Sequence, residues 1–216
     1  MHCKLLIQDV NMEKDYLKYY HPKFFISLII AGFILIYLAN TSLGLSLSVF
    51  GALSLLIVLI TQYLWKYKPF KWLFWIDDFS GRYEGKLVYK YRGDAGQVQT
   101  GELDHVKIIC QTGSRITIHS FTRKADGAKS SLSVNKGMYV EKTEDETHYK
   151  LIYSYQNGGS VEQGFSGHYG TEVIKFINKG QHKELSGEYF TDRDPYQTKG
   201  EFKNLKWVSN NKTHDF

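Results

Sequence analysis

The sequence has few cysteines and few prolines, and a long part of it carries no charge. Two cysteines among 216 residues exclude a disulfide framework, and three prolines exclude a proline-rich linker protein. Hydrophobic residues make up 43% and charged residues 23% of the chain, a balance that excludes a disordered protein. A net charge of +5 would by itself favour nucleic-acid binding, but that charge is unevenly distributed along the chain.

No residue between Lys23 and Lys66 is charged, a run of 42 residues. A helix needs about 20 apolar residues to cross the roughly 30 Å hydrocarbon core of a bilayer, so the run is long enough for two crossings. Polar and small residues at 40–44 interrupt it and predict transmembrane helices over about 24–40 and 45–65. Lipid favours helices here because an open strand would leave its backbone amides unpaired. The alternative is a buried helical hairpin of a soluble protein.

Lysines flank this run on both sides, whereas the segment between the two predicted helices has no Lys or Arg. The positive-inside rule therefore predicts that both chain ends face the cytoplasm. Residues 1–71 hold seven Lys against three Asp and Glu, and residues 72–216 are close to neutral. The basic charge is thus a membrane-orientation signal, and no DNA or RNA partner is predicted.

Three small residues, Gly44, Ser48 and Ala52, follow one another at four-residue intervals on the second predicted helix. Such a stripe lets two helices approach closely in lipid. It predicts either packing of the second helix against the first or a seam that assembles several copies of the chain.

The sequence changes character after the predicted membrane module, residues 1–71. Sixteen of the 19 glycines and ten of the 16 tyrosines follow residue 71, and short β-prone runs alternate with turn signals. The runs lie near 81–91, 103–111, 115–123, 130–134, 138–143, 148–156, 167–178, 184–192 and 198–207. Residues 72–216 are therefore predicted to form an all-β cytoplasmic domain, an antiparallel barrel of about eight strands or else a sandwich. An eight-stranded barrel is wide enough to hold one small ligand.

Side-chain alternation predicts which residues share a face of each strand. Tyr189, Thr191 and Arg193 fall on one face, and Phe190 falls on the other. Either face could line the barrel. An inward set of aromatic, hydroxyl and guanidinium groups would suit a polar ligand with aromatic rings, whereas the alternative makes Arg193 a solvated residue at the rim.

The motifs that carry common enzyme chemistry are missing from the sequence. There is no glycine-rich phosphate loop, and the eight histidines do not have the spacing of metal ligands. The Asp192-Arg193-Asp194 triplet is more often a solvated turn than a metal site. No catalytic residues, no metal and no cofactor are predicted.

Several short segments, taken in order, indicate a family. They are Ser80–Gly85, Ile109–Thr112, Ser130–Ser131, Leu151–Tyr155, His168–Thr171, Leu185–Arg193 and Thr198–Phe202. Attached to two predicted membrane helices, they resemble the two-transmembrane, β-strand-rich effectors associated with SMODS nucleotidyltransferases, which serve bacterial CBASS anti-phage operons. The resemblance covers essentially the whole chain.

This resemblance implies a multi-pass receptor in the bacterial inner membrane rather than a catalyst. A partner nucleotidyltransferase would make a cyclic oligonucleotide, expected to be a cyclic dinucleotide, and the barrel would bind it. Ligand binding would then drive homo-oligomerisation of the helices in the lipid bilayer, membrane disruption and cell death. Phosphates favour Arg and hydroxyl groups, and bases favour aromatic faces. The implied ligand contacts are Arg193, Thr191, Thr198, Tyr189, His168 and Thr171.

Two other functions remain open at this point. A lipocalin-like binder of a hydrophobic small molecule, anchored to the inner membrane, predicts an apolar lumen. A structural subunit of a membrane complex predicts no ligand-sized pocket and an exposed apolar patch. The direction in which Arg193 and Tyr189 point would distinguish these alternatives from a nucleotide receptor.

Overall fold

The structure is a computed structural model that describes residues 16–46, 48–159, 166–180, 182–193 and 196–215. The chain divides into two compact units. The helical unit contains the described residues up to Asp78 together with Gln111–Ile116. The barrel unit contains Phe79–Cys110 and the described residues from Thr117 onward. The domain boundary after residue 71 stays a prediction.

Two apolar helices form most of the helical unit. The first, α1 (Pro22–Leu43), has proline at its start, where the missing N–H is not needed. It ends at Gly44, whose φ of 65° is the left-handed conformation that favours glycine. The second, α2 (Val49–Leu59), continues into a π-helical turn, Ile60–Leu64.

Only α1, among the described residues, is long and apolar enough to cross a membrane. The second apolar helix, Val49–Leu64, is shorter, so the predicted pair of transmembrane helices is not confirmed as a pair. The small-residue stripe also needs correction. Gly44 caps α1, and Ser48 caps α2 by accepting a hydrogen bond from the Gly51 amide at 3.3 Å. Because the helix is broken here, Gly44 and Ser48 do not share one helix face with Ala52.

The two helices approach closely at one glycine. A Cβ added to Gly32 would lie 2.6 Å from Cδ2 of Leu53. Just before the start of α1, the Tyr20 hydroxyl lies 2.6 Å from Oγ1 of Thr61, a residue of the π-helical turn. The carbonyl of Thr61 accepts a hydrogen bond from the Gly113 amide at 2.8 Å. The helical unit is therefore assembled from two separate stretches of the chain.

The described residues form nine β-strands. They are β1 (Gly81–Arg92), β2 (Val98–Gln111), β3 (Ile116–Arg123), β4 (Lys129–Asn135), β5 (Tyr139–Lys142), β6 (Tyr149–Asn157), β7 (His168–Lys179), β8 (His182–Thr191) and β9 (Thr198–Ser209). Each lies within a few residues of a predicted run, and the register pairs are antiparallel.

The sheet closes on itself as an eight-stranded barrel, which confirms the β-barrel part of the predicted fold. Neighbouring strands follow the order β4-β3-β2-β1-β9-β8-β7-β6, and β4 then pairs with β6. The ninth strand, β5, pairs with β6 next to β4: Asn135 lies opposite Tyr155, and Tyr139 lies opposite Ile152. The other edge of β6 is occupied by β7. Thus β4 and β5 fill one position in the ring as a single interrupted strand.

Large apolar side chains fill one end of the barrel. The Phe79 ring lies 4.8 Å from the Phe176 ring, centroid to centroid, and 5.4 Å from the Tyr149 ring. Leu151 and Leu185 are fully buried in the same layer. Burial of these side chains provides the main stabilisation of the barrel, and it leaves the other end available for a cavity.

The C-terminal tail contacts residues on the outer face of β1 and β3. The His214 ring lies 4.4 Å from His119 and 5.4 Å from Phe121, between ring centroids. The Asp215 carboxylate lies 2.6 Å from Nη1 of Arg82 and 2.8 Å from Nη2 of Arg123. These contacts fix the tail to two strands of the wall that lie on either side of β2.

Candidate ligand-binding cavity

A cavity of about 450 Å³ lies inside the unfilled end of the barrel. This volume falls within the range of small-molecule sites, which are mostly apolar with a few placed polar groups. The lining residues come from eight strands and their ends: Leu87, Tyr89, Tyr91, Leu103, His105, Thr122, Lys124, Ser130, Ser131, Ser133, Tyr155, Asn157, Gly159, His168, Glu172, Tyr189, Thr191, Arg193, Tyr196, Thr198 and Phe202.

Tyrosines of the wall lie across glycines of the neighbouring strand. Tyr89 is opposite Gly101, Tyr155 is opposite Gly170, and Tyr189 is opposite Gly200. A Cβ at Gly101 would come within 2.3 Å of the Tyr89 ring, and one at Gly170 within 2.4 Å of the Tyr155 ring. Each glycine therefore leaves the space that lets the partner ring lie flat against the wall.

The inner end of the cavity contains a buried ion pair. Lys107 Nζ lies 2.7 Å from Glu172 Oε2, and it donates a second hydrogen bond to Ser120 Oγ at 2.8 Å. The same ammonium lies 4.1 Å from the Phe202 ring centroid, in cation–π contact. The Tyr153 hydroxyl also donates to Glu172. Burial lowers the pKa of Lys107, and the Glu172 carboxylate opposes that change.

His105 lies beside this ion pair without a hydrogen bond of its own. The residue is 3% exposed, and neither imidazole nitrogen has a hydrogen-bond partner among the described residues. Its ring lies 5.0 Å from the Phe202 ring, centroid to centroid. Burial lowers the pKa of His105 well below its usual value, and the Lys107 charge lowers it further. The imidazole is therefore neutral at pH 7.

The outer end of the cavity carries cationic and hydroxyl side chains. Arg193 and Lys124 line it, and neither is buried. Thr191 Oγ1 accepts a hydrogen bond from the Thr198 amide at 2.8 Å, which joins the end of β8 to the start of β9. Burial, and to a smaller extent the Arg193 charge, lowers the pKa of His168. This end has groups that can bind an anion.

The structure brings five of the six predicted contact residues to the cavity: Arg193, Thr191, Thr198, Tyr189 and His168. Thr171 is exposed and pairs with Ser154, which is also exposed. Since Glu172 lines the cavity and adjacent strand residues face opposite ways, Thr171 lies on the outer face. The ligand-binding role of the other five stays a prediction.

Sequence reasoning missed His105 and Glu172. Two-residue alternation was the available signal: His105 follows Leu103 on one face of β2, and Glu172 follows His168 and Gly170 on one face of β7. Nothing in the sequence, however, places these two faces in the same layer, because 66 residues lie between the two positions.

The described residues contain no group of three or more His, Cys, Asp or Glu side chains placed to hold a metal ion. Several polar groups of the cavity are instead hydrogen-bonded within the barrel.

Comparison with known families decides the relationship. The model of the Cap15 cyclic dinucleotide receptor domain matches residues 74–206. This chain belongs to that family. The match covers more than half of the sequence and includes every residue that lines the cavity. Because the Cap15 domain is described as a receptor, the barrel cavity is the place to look for its ligand site. Comparison with curated proteins gave no match.

Proposed function

We propose that the chain is a membrane-anchored effector of a bacterial CBASS anti-phage system whose barrel binds a cyclic dinucleotide. A partner SMODS-type nucleotidyltransferase would supply the ligand. The observation that carries the proposal is the cavity of about 450 Å³, lined by Arg193, Tyr189 and Thr191, within a domain of the Cap15 receptor family.

The chemistry of the cavity fits a ligand with two phosphates and two flat bases. Arg193 and the hydroxyls of Thr191 and Thr198 suit phosphate oxygens, because hydrogen bonds between charged partners are roughly twice as strong as neutral ones. The rings of Tyr155 and Tyr189 offer stacking surfaces, and a stacked base contributes about 1–3 kcal/mol. Burial raises the pKa of both tyrosines, so their hydroxyls stay neutral donors.

The cavity also weighs against the other two functions. A lipocalin-like binder of a hydrophobic molecule predicts an apolar lumen, whereas Glu172, His105 and Arg193 line this one. A purely structural subunit would have no pocket of ligand size, whereas this barrel contains a cavity of about 450 Å³. The nucleotide ligand therefore accounts for the lining residues best.

We further propose that both apolar helices insert into the inner membrane, with both chain ends in the cytoplasm, and that ligand binding favours their assembly. Exposed apolar side chains along α1 and α2, among them Leu35, Phe50 and Leu55, support this proposal because lipid would cover them. The ligand must bind the assembled state more tightly than the resting state. A shift from 1:99 to 99:1 needs about 5.5 kcal/mol of differential binding.

The test uses the full chain, purified in detergent and reconstituted into vesicles. Cyclic dinucleotides should bind to the wild type, measured by calorimetry, and should increase dye release from the vesicles. Arg193→Ala should weaken binding about tenfold or more, which corresponds to about 1.4 kcal/mol. Thr171→Ala, on the outer face of β7, is the matched control and should behave as wild type. Unchanged binding and dye release in Arg193→Ala would remove this residue from the site, and absence of any binding by the wild type would refute the function.

A further inference from the structure

The cavity has two ends with different electrostatic character. Arg193 and Lys124 lie at the outer end, together with hydroxyl groups. At the inner end, the one nearby cation in the described barrel is Lys107, which is 0% exposed and already contacts Ser120, Glu172 and Phe202. An ammonium has three N–H groups, and these three partners account for all of them, so Lys107 has no donor left for a ligand.

Phosphates of a ligand therefore belong at the outer end. A phosphate at the inner end would face the Glu172 carboxylate, and like charges at short range repel strongly where water is excluded. A neutral base has no such penalty. Phe202 and Tyr189, whose ring centroids are 5.7 Å apart, form the aromatic wall beside this end.

The inner end also has unused hydrogen-bonding capacity. His105 is nearly fully buried and both its ring nitrogens lack a partner among the described residues. Leaving a buried polar group unsatisfied costs about 1–3 kcal/mol, and such groups are rare in folded proteins and often have a functional role. Because His105 lines the cavity, a ligand in the cavity can supply the missing partner. A neutral imidazole offers one N–H donor and one nitrogen acceptor.

Glu172 defines which kind of base fits. Its carboxylate accepts hydrogen bonds and cannot donate them, and Oε2 already accepts from Lys107 and Tyr153. Oε1 therefore keeps the capacity to accept a hydrogen bond, and Glu172 lines the cavity. An amino group of adenine, guanine or cytosine can donate to it. Uracil has a single N–H flanked by two carbonyl oxygens, and those oxygens would face the carboxylate.

We propose that His105 and Glu172 form a base-recognition subsite at the inner end of the cavity, which selects a base that carries an amino group. The inference rests on the proposed function, because it assigns one part of a cyclic dinucleotide to one part of that cavity. It also assigns the phosphates to the Arg193 end.

The first experiment compares ligands on the full wild-type chain in detergent. The probes are the 3′,3′-cyclic dinucleotides of adenosine, guanosine and uridine, and the measurement is the dissociation constant by calorimetry. The diuridine ligand should bind at least about tenfold more weakly than the better of the other two. Equal affinity for all three would overturn the base assignment while leaving the proposed function in place. Absence of binding by all three would overturn both.

The second experiment changes His105. His105→Phe keeps a ring beside Phe202 but removes both nitrogens. It should therefore weaken binding of the best ligand about tenfold and reduce the difference in affinity between that ligand and the diuridine ligand. The melting temperature without ligand should not fall, since no hydrogen bond is lost. If His105 had only a structural role, His105→Phe would change the melting temperature and leave the ratio between the two ligand affinities unaltered. An unchanged ratio and affinity would overturn the proposal.

The third experiment changes Glu172. Glu172→Gln adds an amide donor and should shift the preference toward the diuridine ligand. Because this change leaves Lys107 buried without its counter-charge, the double variant Lys107→Met, Glu172→Gln removes both charges and keeps the test valid if the single variant does not fold. Thr171→Val, one residue away but on the outer face, is the control. If the variant folds and its preference among the three ligands is the same as that of the wild type, Glu172 does not select the base.

Discussion

The two ends of the barrel are built on the same eight strands but have opposite interiors. At the filled end, inward positions hold large apolar side chains such as Phe176, Leu151 and Leu185. At the cavity end, inward tyrosines alternate with glycines on neighbouring strands, as Tyr89 does with Gly101. The backbone alone therefore does not decide whether an eight-stranded barrel is solid or hollow; the size of the residue opposite each ring decides it.

The largest effect on stability is expected at the filled end. Phe176→Ala should lower the free energy of unfolding by about 3–5 kcal/mol, because it leaves a cavity in a packed layer. Tyr189→Ala at the cavity end should cost less, since the vacated space joins an existing cavity, but it should weaken ligand binding. Denaturant unfolding of the full chain in detergent compares the two. An equal loss in both variants would contradict the distinction between the two ends.

Adding one methyl group at the cavity end tests the Gly–Tyr pairing. Gly101→Ala places a Cβ within 2.3 Å of the Tyr89 ring, so it should cost about 1–3 kcal/mol through overpacking and push the ring from its place. The double variant Gly101→Ala, Tyr89→Ala should recover stability without recovering ligand affinity. If the double variant is no more stable than Gly101→Ala, the ring is not the cause of the strain.

Acid should lower the stability of the barrel through His105, which is buried, and His119, which is partly buried. Burial lowers the pKa of His105, at the cavity end, well below the usual value, and burial, with a smaller effect of His214, lowers the pKa of His119 to about 4. The unfolded chain protonates both near pH 6.5, so it binds more protons than the folded state below that pH. The free energy of unfolding should therefore fall as the pH drops from about 7 to about 4, by at most about 1.4 kcal/mol per pH unit for each histidine. His105→Phe and His119→Phe should each flatten this dependence in unfolding measured at pH 7 and pH 5.

The smallest effect is expected on the outer face. Lys150 Nζ lies 3.5 Å from Glu141 Oε1, with both side chains 37% exposed. Exposed ion pairs contribute about 0–1 kcal/mol. Lys150→Ala should therefore lower the free energy of unfolding by no more than about 1 kcal/mol and leave ligand affinity unaltered. A larger loss, or weaker binding, would mean that the outer face contributes to the cavity more than its geometry indicates.

The barrel could be predicted from the sequence because its strands and turns leave local patterns in the sequence. Turn residues mark the strand ends, and two-residue alternation placed Tyr189, Thr191 and Arg193 on one face. Alternation left open which face lines the barrel, and the structure shows that these three residues line the cavity. The same alternation, applied to β7, places Thr171 outside once Glu172 is known to be inside. A one-residue change of register is enough to reverse such an assignment.

The remaining features depend on contacts between distant parts of the chain or on the exact residues at which helices end. His105 and Glu172 meet only because the barrel closes. The sequence predicts a break at 40–44, but α1 continues to Leu43 and ends at a left-handed Gly44, and Ser48 caps α2. Four-residue spacing placed Gly44 and Ser48 on the second helix because spacing does not show at which residue a helix begins or ends.

The hydrogen bond from the Gly113 amide to the Thr61 carbonyl has a consequence for how the molecule is made. The helical unit includes Gln111–Ile116, the turn between β2 and β3, and the ribosome adds that turn about fifty residues after the π-helical turn that receives it. The helices are thus synthesised before their last contact exists. A single cut after Asp78 separates the sequence into two parts but removes from the first part a piece of its own structure, so truncation of this protein is not equivalent to dissecting it into its units.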